Sequence, residues 1–202
     1  STEASNLLML GTFSDELGLQ DFMLLGQEVS QTSLQDLGLN NGPLGTVYYV
    51  QFTTGTDITS EQILYEDGGN QAGTAFILQS GKFEFYSGTD GIVRETLPAA
   101  SQFIQTNTFY SILAWFQPSS AAGVPDGAYK IYFTENVDIL DLTRADITPL
   151  AESTSFQFET LGGNNGQGCG RRLGNVQGGA RNPFTGTFAP GEGCKVWGNT
   201  SL

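Results

Sequence analysis

The clearest strand pattern in the sequence is Thr74-Ala75-Phe76-Ile77-Leu78-Gln79-Ser80-Gly81-Lys82-Phe83-Glu84-Phe85-Tyr86. After Ser80-Gly81, charged and aromatic side chains alternate, which is typical of a strand with one buried face. The residues before it form a second strand-like run, and Ser-Gly between two such runs favours a tight turn. The stretch therefore predicts a β-hairpin.

Strand-like runs recur along the rest of the chain at the spacing expected of a sandwich. They are rich in aromatic or β-branched residues, which favour strands. They lie at 47–52, 62–66, 109–116, 128–133, 156–159, 172–176, 184–188 and 195–197. A helical turn is expected only within 138–145. Because no strand–helix–strand rhythm appears, the pattern predicts an all-β protein and excludes a parallel α/β sheet.

Residues 1–44 differ from the rest of the chain. They hold two short apolar clusters, Leu7-Leu8-Met9-Leu10 and Phe22-Met23-Leu24-Leu25, and end near the turn residues Asn40-Asn41-Gly42-Pro43. We expect strands and turns here. Two interpretations are open: the segment supplies a strand to the domain formed by residues 45–202, or it is an assembly arm taken up by a neighbouring subunit. We favour an integral strand for at least one cluster.

The charge balance is strongly acidic. The 202 residues include 21 acidic and 8 basic side chains and no histidine, for a net charge of −13. Such a surface repels nucleic acid and anionic membranes, so neither is expected as a partner. No run approaches the roughly 20 apolar residues that a membrane span needs. The acidic surface suits divalent cations.

Cys169 and Cys194 are the two cysteines, and a glycine-rich segment separates them. A disulfide between them would close this loop and stabilise the fold by about 3 kcal/mol in the chain-entropy model. It would also indicate a secreted, extracellular protein. Two free buried thiols in a cytosolic protein are the alternative.

Three groups of residues resemble the laminin-G-like domains of the concanavalin A-like lectin/glucanase superfamily. The first is an opening strand, the second is a strand that ends near a glycine pair followed by a hairpin resuming at Gly-Lys, and the third is the closing strands. In this chain the opening strand is Tyr49 to Thr54. The strand with the glycine pair is Ile63 to Gly69, and its hairpin is Gly73 to Phe83. The closing strands lie between Leu173-Gly174-Asn175 and Leu202. The resemblance implies a two-sheet antiparallel jelly-roll sandwich over residues 45–202.

The turn Asp67-Gly68-Gly69-Asn70 is the best candidate for a metal site. Calcium prefers oxygen ligands, and Asp67 and Asn70 on a tight glycine turn offer them. Asp126 is a candidate ligand from the opposite side. The resemblance agrees, because many laminin-G-like domains bind calcium near strand ends. An ordinary solvated turn is the alternative, since Asp, Asn and Gly are common turn residues.

Two sets of side chains are candidates for ligand binding. Arg171, Arg172 and Arg181 are three of the eight basic residues and lie close together in sequence. Guanidinium groups match carboxylates and sulfates, so this cluster suits an acidic glycan or the acidic face of a neighbouring subunit. Trp115, with Tyr110 and Tyr86, is a candidate platform for stacking a sugar ring, although aromatic residues in strands also build cores.

No catalytic constellation emerges from the sequence. A Ser-His-Asp triad is impossible without histidine. Glu135 and Asp138 are three positions apart, so on a strand they would point to opposite faces rather than form the pair of a retaining glycosidase. We therefore predict a protein that is not an enzyme.

Two functions follow from these features. The first is an extracellular, adhesive module that binds a glycan, with calcium as a possible cofactor. The second is a structural subunit of an extracellular filament, sheath or virion surface, which would self-assemble through residues 1–44 into a homo-oligomer. The fold alone does not choose between them, because jelly rolls serve both purposes.

Overall fold

The structure, a computed structural model, describes eleven parts of the chain. They are residues 11–18, 23–25, 44–68, 73–89, 93–96, 102–117, 119–120, 124–156, 167–169, 182–188 and 194–202. These residues are almost entirely in strands and turns. No helix in these parts of the chain is long and apolar enough to cross a membrane.

Fourteen strands and two short helical segments make up the described chain. The strands are β1 (Met23–Leu25), β2 (Thr46–Thr53), β3 (Gln62–Gly68), β4 (Gly73–Gln79), β5 (Lys82–Thr89), β6 (Val93–Thr96), β7 (Gln102–Phe103), β8 (Phe109–Gln117), β9 (Gly127–Glu135), β10 (Ala151–Phe156), β11 (Gln167–Cys169), β12 (Asn182–Pro183), β13 (Thr187–Phe188) and β14 (Cys194–Trp197). The helical segments are α1 (Phe13–Leu17) and the 3-10 helix Ile139–Asp141.

The strands form two sheets. The first sheet has the order β1-β14-β2-β8-β9-β10, with β13 continuing along the edge of β2. The second has the order β11-β3-β4-β5-β6, with β12 beside β3 and β7 beside β5. Every pairing is antiparallel except β12 with β3. The predicted all-β sandwich is therefore confirmed.

The predicted hairpin joins β4 to β5. Ser80 and Gly81 have positive φ angles of 52° and 73°, as both central residues of a type I′ two-residue turn require. Gln79 then pairs with Lys82, and the register continues to Gly73 and Gly88. Alternation places Phe83 and Phe85 on the buried face of the sheet.

The main core lies between the two sheets and is largely aromatic. Even-numbered residues of β2 and β8 face the second sheet because side chains alternate along a strand. Tyr48 packs on Tyr65 with ring centroids 5.2 Å apart, and Phe83 stacks on Phe133 at 5.0 Å. Such contacts join the sheets and exclude water from the interior.

A second core covers part of the outer face of the first sheet. It joins odd-numbered side chains of β2 and β8, and Tyr132 of β9, to α1 and the 3-10 helix. Phe13 is fully buried, its ring centroid lies 5.1 Å from that of Tyr132, and its amide donates to the carbonyl of Leu142 at 2.8 Å. Arg144 bonds Glu16 at 3.0 Å. The helix is thus part of the same packed body as the sheet.

The expectation of strands and turns throughout residues 1–44 is wrong for α1. Thr12 and Asp15 form a capping box, in which each side chain accepts a hydrogen bond from the other's backbone amide at 3.1 Å. The cluster around Met23 does supply a strand, because β1 pairs with β14 of the same chain. The cluster at 7–10 lies outside the described residues.

The other strand predictions agree with the structure to different degrees. Those at 47–52, 62–66, 109–116, 128–133 and 195–197 match β2, β3, β8, β9 and β14. The strand predicted at 156–159 shares its first residue with β10, which spans Ala151–Phe156, and its remainder lies outside the described residues. Of the strand predicted at 184–188, only the last two residues form a strand, β13, whereas β12 lies just before this range. The strand predicted at 172–176 lies outside the described residues.

Candidate functional site

The candidate site is a groove on the part of the first sheet's outer face that α1 leaves uncovered. Its volume is about 720 Å³. The side chains that bear on its chemistry are those of Trp115, Gln117, Asp126, Lys130, Glu152 and Leu202. They come from β8, β9, β10, the turn before β9, and the segment after β14.

Strand register places three of these residues in one row. Trp115 of β8 lies opposite Lys130 of β9, and Lys130 lies opposite Glu152 of β10. Residues directly opposite one another project from the same face of a sheet, and neighbouring strands are about 4.8 Å apart. An aromatic ring, an ammonium and a carboxylate therefore follow each other across roughly 10 Å of sheet surface.

Trp115 is fixed at one end of the row by a hydrogen bond and a close backbone contact. Its indole Nε1 donates to the carbonyl of Leu44 at 2.8 Å. Gly45 has a φ of +98°, and a Cβ there would lie 2.6 Å from the indole nitrogen and 2.4 Å from the carbonyl oxygen of Phe116. Only glycine lets the chain pass this close to the ring.

The segment after β14 forms one wall of the groove. The amide of Thr200 donates to the carbonyl of Gly45 at 3.0 Å, and Asn199 Oδ1 accepts from the amide of Leu44 at 3.3 Å. Lys130 Nζ donates to the main-chain oxygen of Leu202 at 3.3 Å. The wall is therefore tied both to the loop that fixes Trp115 and to the middle of the row.

Asp126 stands at the edge of the groove in the turn before β9. Its Oδ1 accepts from the amide of Ser120 at 2.8 Å. Hydrogen bonds from Ser120 hold the pKa of the Asp126 carboxyl below its ordinary value of 3.8, so the group is ionised at neutral pH. Asp126 thus adds a second carboxylate, after that of Glu152, to the lining of the groove.

The groove has the general character of a saccharide site. A flat aromatic side chain packs against the C–H face of a sugar, while carboxylate, ammonium and amide groups exchange hydrogen bonds with its hydroxyls. Sequence reasoning named Trp115 and Asp126 but missed Lys130 and Glu152. The alternation of Tyr129-Lys130-Ile131 did indicate that Lys130 faces outward.

The other members of the proposed aromatic platform do not lie beside Trp115. Tyr110 is only 1% exposed and belongs to the core between the sheets, where its hydroxyl accepts from the amide of Gln105 at 2.7 Å. Tyr110 projects from the opposite face of β8, because it lies an odd number of positions from Trp115. The Tyr86 side chain is outside the described part of the structure.

The three predicted metal ligands are not assembled into a site by the described residues. Asp67 lies in β3 of the second sheet, Asp126 lies at the groove on the first sheet, and Asn70 is outside the described residues. Within the parts of the chain that the structure describes, no group of three or more His, Cys, Asp or Glu side chains is placed to hold a metal. The calcium site stays a prediction.

The remaining predicted site residues are covered in part. Arg171, Arg172 and Arg181 lie outside the described residues, so the arginine cluster stays a prediction. Cys169 lies in β11 opposite Tyr65, and Cys194 lies in β14 opposite Val50. The two cysteines therefore belong to different sheets, and a disulfide between them would join the sheets.

Glu135 and Asp138 do not face each other across a cleft. Glu135 is exposed at the end of β9. Asp138 caps the 3-10 helix, where its Oδ1 accepts from the hydroxyl of Tyr49 at 2.8 Å and from the amide of Leu140 at 3.0 Å. The Asp138 carboxylate thus has a structural role.

No protein-family model matches the sequence, and no curated protein matches it. Solved structures do resemble the fold. The Ruminococcus gnavus IT-sialidase CBM40, a carbohydrate-binding module, aligns with a TM-score of 0.50 and 15% identity over 95% of both chains. The same module bound to α2,6-sialyllactose aligns with a TM-score of 0.50 and 16% identity, again over 95% of both chains.

A leech intramolecular trans-sialidase, in complex with 2,7-anhydro-Neu5Ac, aligns with a TM-score of 0.52 and 15% identity. The match covers 91% of this chain but only 25% of the leech enzyme, so this chain spans about a quarter of that protein. At these identities the similarity establishes the fold, the β-sandwich of the carbohydrate-binding modules, and nothing about the ligand.

Proposed function

We propose that this chain is a non-catalytic glycan-binding module and that its saccharide lies in the groove bordered by Trp115, Lys130 and Glu152. The observation that carries the proposal is the row formed by these three residues on three adjacent strands. It offers an aromatic surface, a hydrogen-bond donor and an acceptor on a rigid sheet. The similarity of the fold to carbohydrate-binding modules supports the same function.

An array of immobilised oligosaccharides, followed by titration of the best ligand, tests the proposal. Trp115→Ala should weaken binding about 30-fold or more. A buried aromatic contact of this kind commonly contributes about 2 kcal/mol or more to the binding free energy, and about 2 kcal/mol corresponds to a roughly 30-fold change in the dissociation constant. Trp115 is one of two tryptophans, and the other, Trp197, is only 3% exposed. A saccharide in the groove should therefore also change the intrinsic fluorescence.

Phe103→Ala is the matched control. Phe103 is 73% exposed, but it lies in β7 of the second sheet, away from the groove. Its removal should leave the affinity unchanged. The proposal fails if no saccharide binds, or if Trp115→Ala binds as tightly as the unmodified protein. It also fails if a triple change of Arg171, Arg172 and Arg181 to Gln abolishes binding while Trp115→Ala does not, because the arginine cluster would then hold the ligand.

An extracellular location is the companion proposal and depends on the cysteines. Cys169 and Cys194 lie in strands of opposite sheets, where a disulfide would fasten the sandwich. Ellman's reagent should detect no thiol in the denatured, non-reduced protein. Two titratable thiols would remove the basis for this location.

Calcium is a further proposal, made on Asp67 and its neighbours Asn70 and Asp126. A metal that binds only the folded state raises the melting temperature. Calcium should therefore raise the melting temperature relative to a chelated sample, and Asp67→Ala should abolish the difference. Equal melting temperatures with and without calcium would show that the turn binds no metal.

A further inference from the structure

The charges around the groove are unequal. Asp126 and Glu152 contribute two carboxylates, and Lys130 is the one cationic side chain that lines the groove within the described chain. The side chains that line the groove therefore have a net negative charge. The whole chain is negative too, with a formal charge of −13.

Contacts within the protein leave the carboxylates more available than the ammonium. Lys130 Nζ donates to the main-chain oxygen of Leu202 at 3.3 Å. Within the described part of the chain, no ion pair joins Lys130 to Glu152. Glu152 is exposed. Asp126 is exposed as well, and its Oδ1 accepts from the amide of Ser120 at 2.8 Å.

These groups suit the hydroxyls of a neutral sugar and oppose an acidic one. A carboxylate has only acceptor sites, and it forms strong hydrogen bonds with O–H donors. A ligand carboxylate close to Glu152 or Asp126 would instead be repelled, and the acidic surface would slow its approach. Lys130 is a point charge without the forked geometry with which arginine pairs with a carboxylate.

We propose that the groove selects a neutral saccharide, with Glu152 and Asp126 accepting hydrogen bonds from its hydroxyl groups, and discriminates against carboxylated sugars. This inference rests on the proposed function and adds the class of ligand. It sets this chain apart from the module whose structure holds sialyllactose. It also opposes the expectation of an acidic glycan that the arginine cluster raises.

Ligand pairs that differ only in an acidic group provide the test. Suitable pairs on the array are the methyl ester of 3′-sialyllactose with 3′-sialyllactose, and methyl-esterified polygalacturonate with polygalacturonate. Within a pair that the groove binds, the neutral member should bind about tenfold or more tightly at low salt, and the ratio should fall as salt screens the charges.

Glu152→Gln supplies the decisive variant, because it removes the charge and keeps the shape. It should weaken binding of the neutral ligand about tenfold, since a charged acceptor is lost, and should narrow the preference over the acidic partner. Glu135→Gln is the matched control: it changes the net charge equally at an exposed position at the other end of β9. Glu135→Gln should change neither the affinity for the neutral ligand nor the preference for it over the acidic ligand.

The outcomes separate this inference from the proposed function. If the acidic member of a pair binds more tightly and Trp115→Ala abolishes its binding, the groove is the saccharide site and the inference of neutral selectivity is wrong. A preference that Glu152→Gln leaves unchanged also overturns the inference. If no saccharide on the array binds, the proposed function itself is wrong.

Discussion

The outer face of the first sheet has two halves that are built from the same strands. In the sealed half, α1 and the 3-10 helix cover Tyr49, Leu113 and Tyr132 and exclude water. In the open half, Trp115, Lys130 and Glu152 border a groove. Two positions along β8 separate Leu113 from Trp115, so one strand serves both halves. What covers a strand, rather than its own alternation, decides whether its outward side chains form a core or a site.

The largest difference between the halves should appear on removing an aromatic ring. Phe13→Ala in the sealed half should lower the free energy of unfolding by about 3–5 kcal/mol, because the ring is fully buried and leaves a cavity. Urea denaturation measures the change. Phe103→Ala is the control and should cost little, since that ring is 73% exposed. If Phe13→Ala and Phe103→Ala lower the free energy of unfolding equally, then α1 does not exclude water from this face.

The loop behind Trp115 should show the next largest effect. Gly45→Ala should lower the free energy of unfolding by about 3 kcal/mol, combining left-handed backbone strain with overpacking. The added Cβ would collide with the indole of Trp115 and the carbonyl of Phe116, so saccharide binding should weaken as well.

Gly81→Ala is the matched control for this change. Gly81 has a φ of +73°, but nothing lies within 4 Å of its added Cβ. Gly81→Ala should therefore lower the free energy of unfolding only through backbone strain, by about 1 kcal/mol. If both variants lose the same stability and Gly45→Ala keeps full affinity, then the close approach at Gly45 does not position the ring.

A smaller effect is expected where the 3-10 helix joins the sealed half. Ser111 is fully buried, and its Oγ accepts from the amide of Ile139 at 2.9 Å. Ser111→Ala would leave that buried amide without this acceptor, at a cost of about 1–3 kcal/mol. Ser201→Ala, at an exposed position, should be neutral. Binding should persist in both variants, and its loss in Ser111→Ala would show that the halves are coupled.

The smallest effect should be a loss of stability in acid caused by Asp57, which lies in the loop between β2 and β3 and belongs to neither half. Hydrogen bonds from Ser60 and Thr59 lower the pKa of Asp57 from 3.8 to about 2. A carboxyl with a lowered folded-state pKa stabilises the fold above the unfolded pKa, and this contribution is lost as pH falls toward the folded value.

Asp57→Asn tests this sign, since the amide keeps an acceptor oxygen but does not titrate. The melting temperature of the unmodified protein should exceed that of the variant at pH 5, and the gap should close as pH falls through 3.8 toward about 2. A gap that stays constant over this range would show that the Asp57 carboxylate contributes no acid sensitivity.

The central strands were predictable because burial on one face imposes alternation. β5 and β9 show it in the sequence, and the turn at Ser80-Gly81 follows from its residue types. Most of β10 was not predicted because Ala151-Glu152-Ser153-Thr154 is mainly polar. Its one partner among the described strands is β9, and polar residues are tolerated at such an edge.

The site was less predictable than the fold because it depends on register between strands. Trp115 was a candidate by its residue type. Nothing local in the sequence, however, indicates that Lys130 lies next to Trp115 or that Glu152 lies on the far side of Lys130. That row follows from two pairings, and the second contains an irregularity between Ser153 and Phe156. The helix α1 was missed although Thr12 and Asp15 have capping-box spacing, because packing against the sheet is what stabilises so short a helix.

The position of β14 has a consequence for the order of folding. It lies between β2 and β1, so Met23 pairs with Val196 across nearly the whole sequence. Among the described strands, β14 is the one partner of β1. During synthesis this pairing cannot form until the ribosome has passed Trp197, and the long loop between the two strands must be closed at an entropic cost. The first sheet therefore completes late and slowly, as expected of a topology dominated by distant contacts. Until then the edge of β2 stays open, and a nascent chain is most exposed to pairing with the wrong strand.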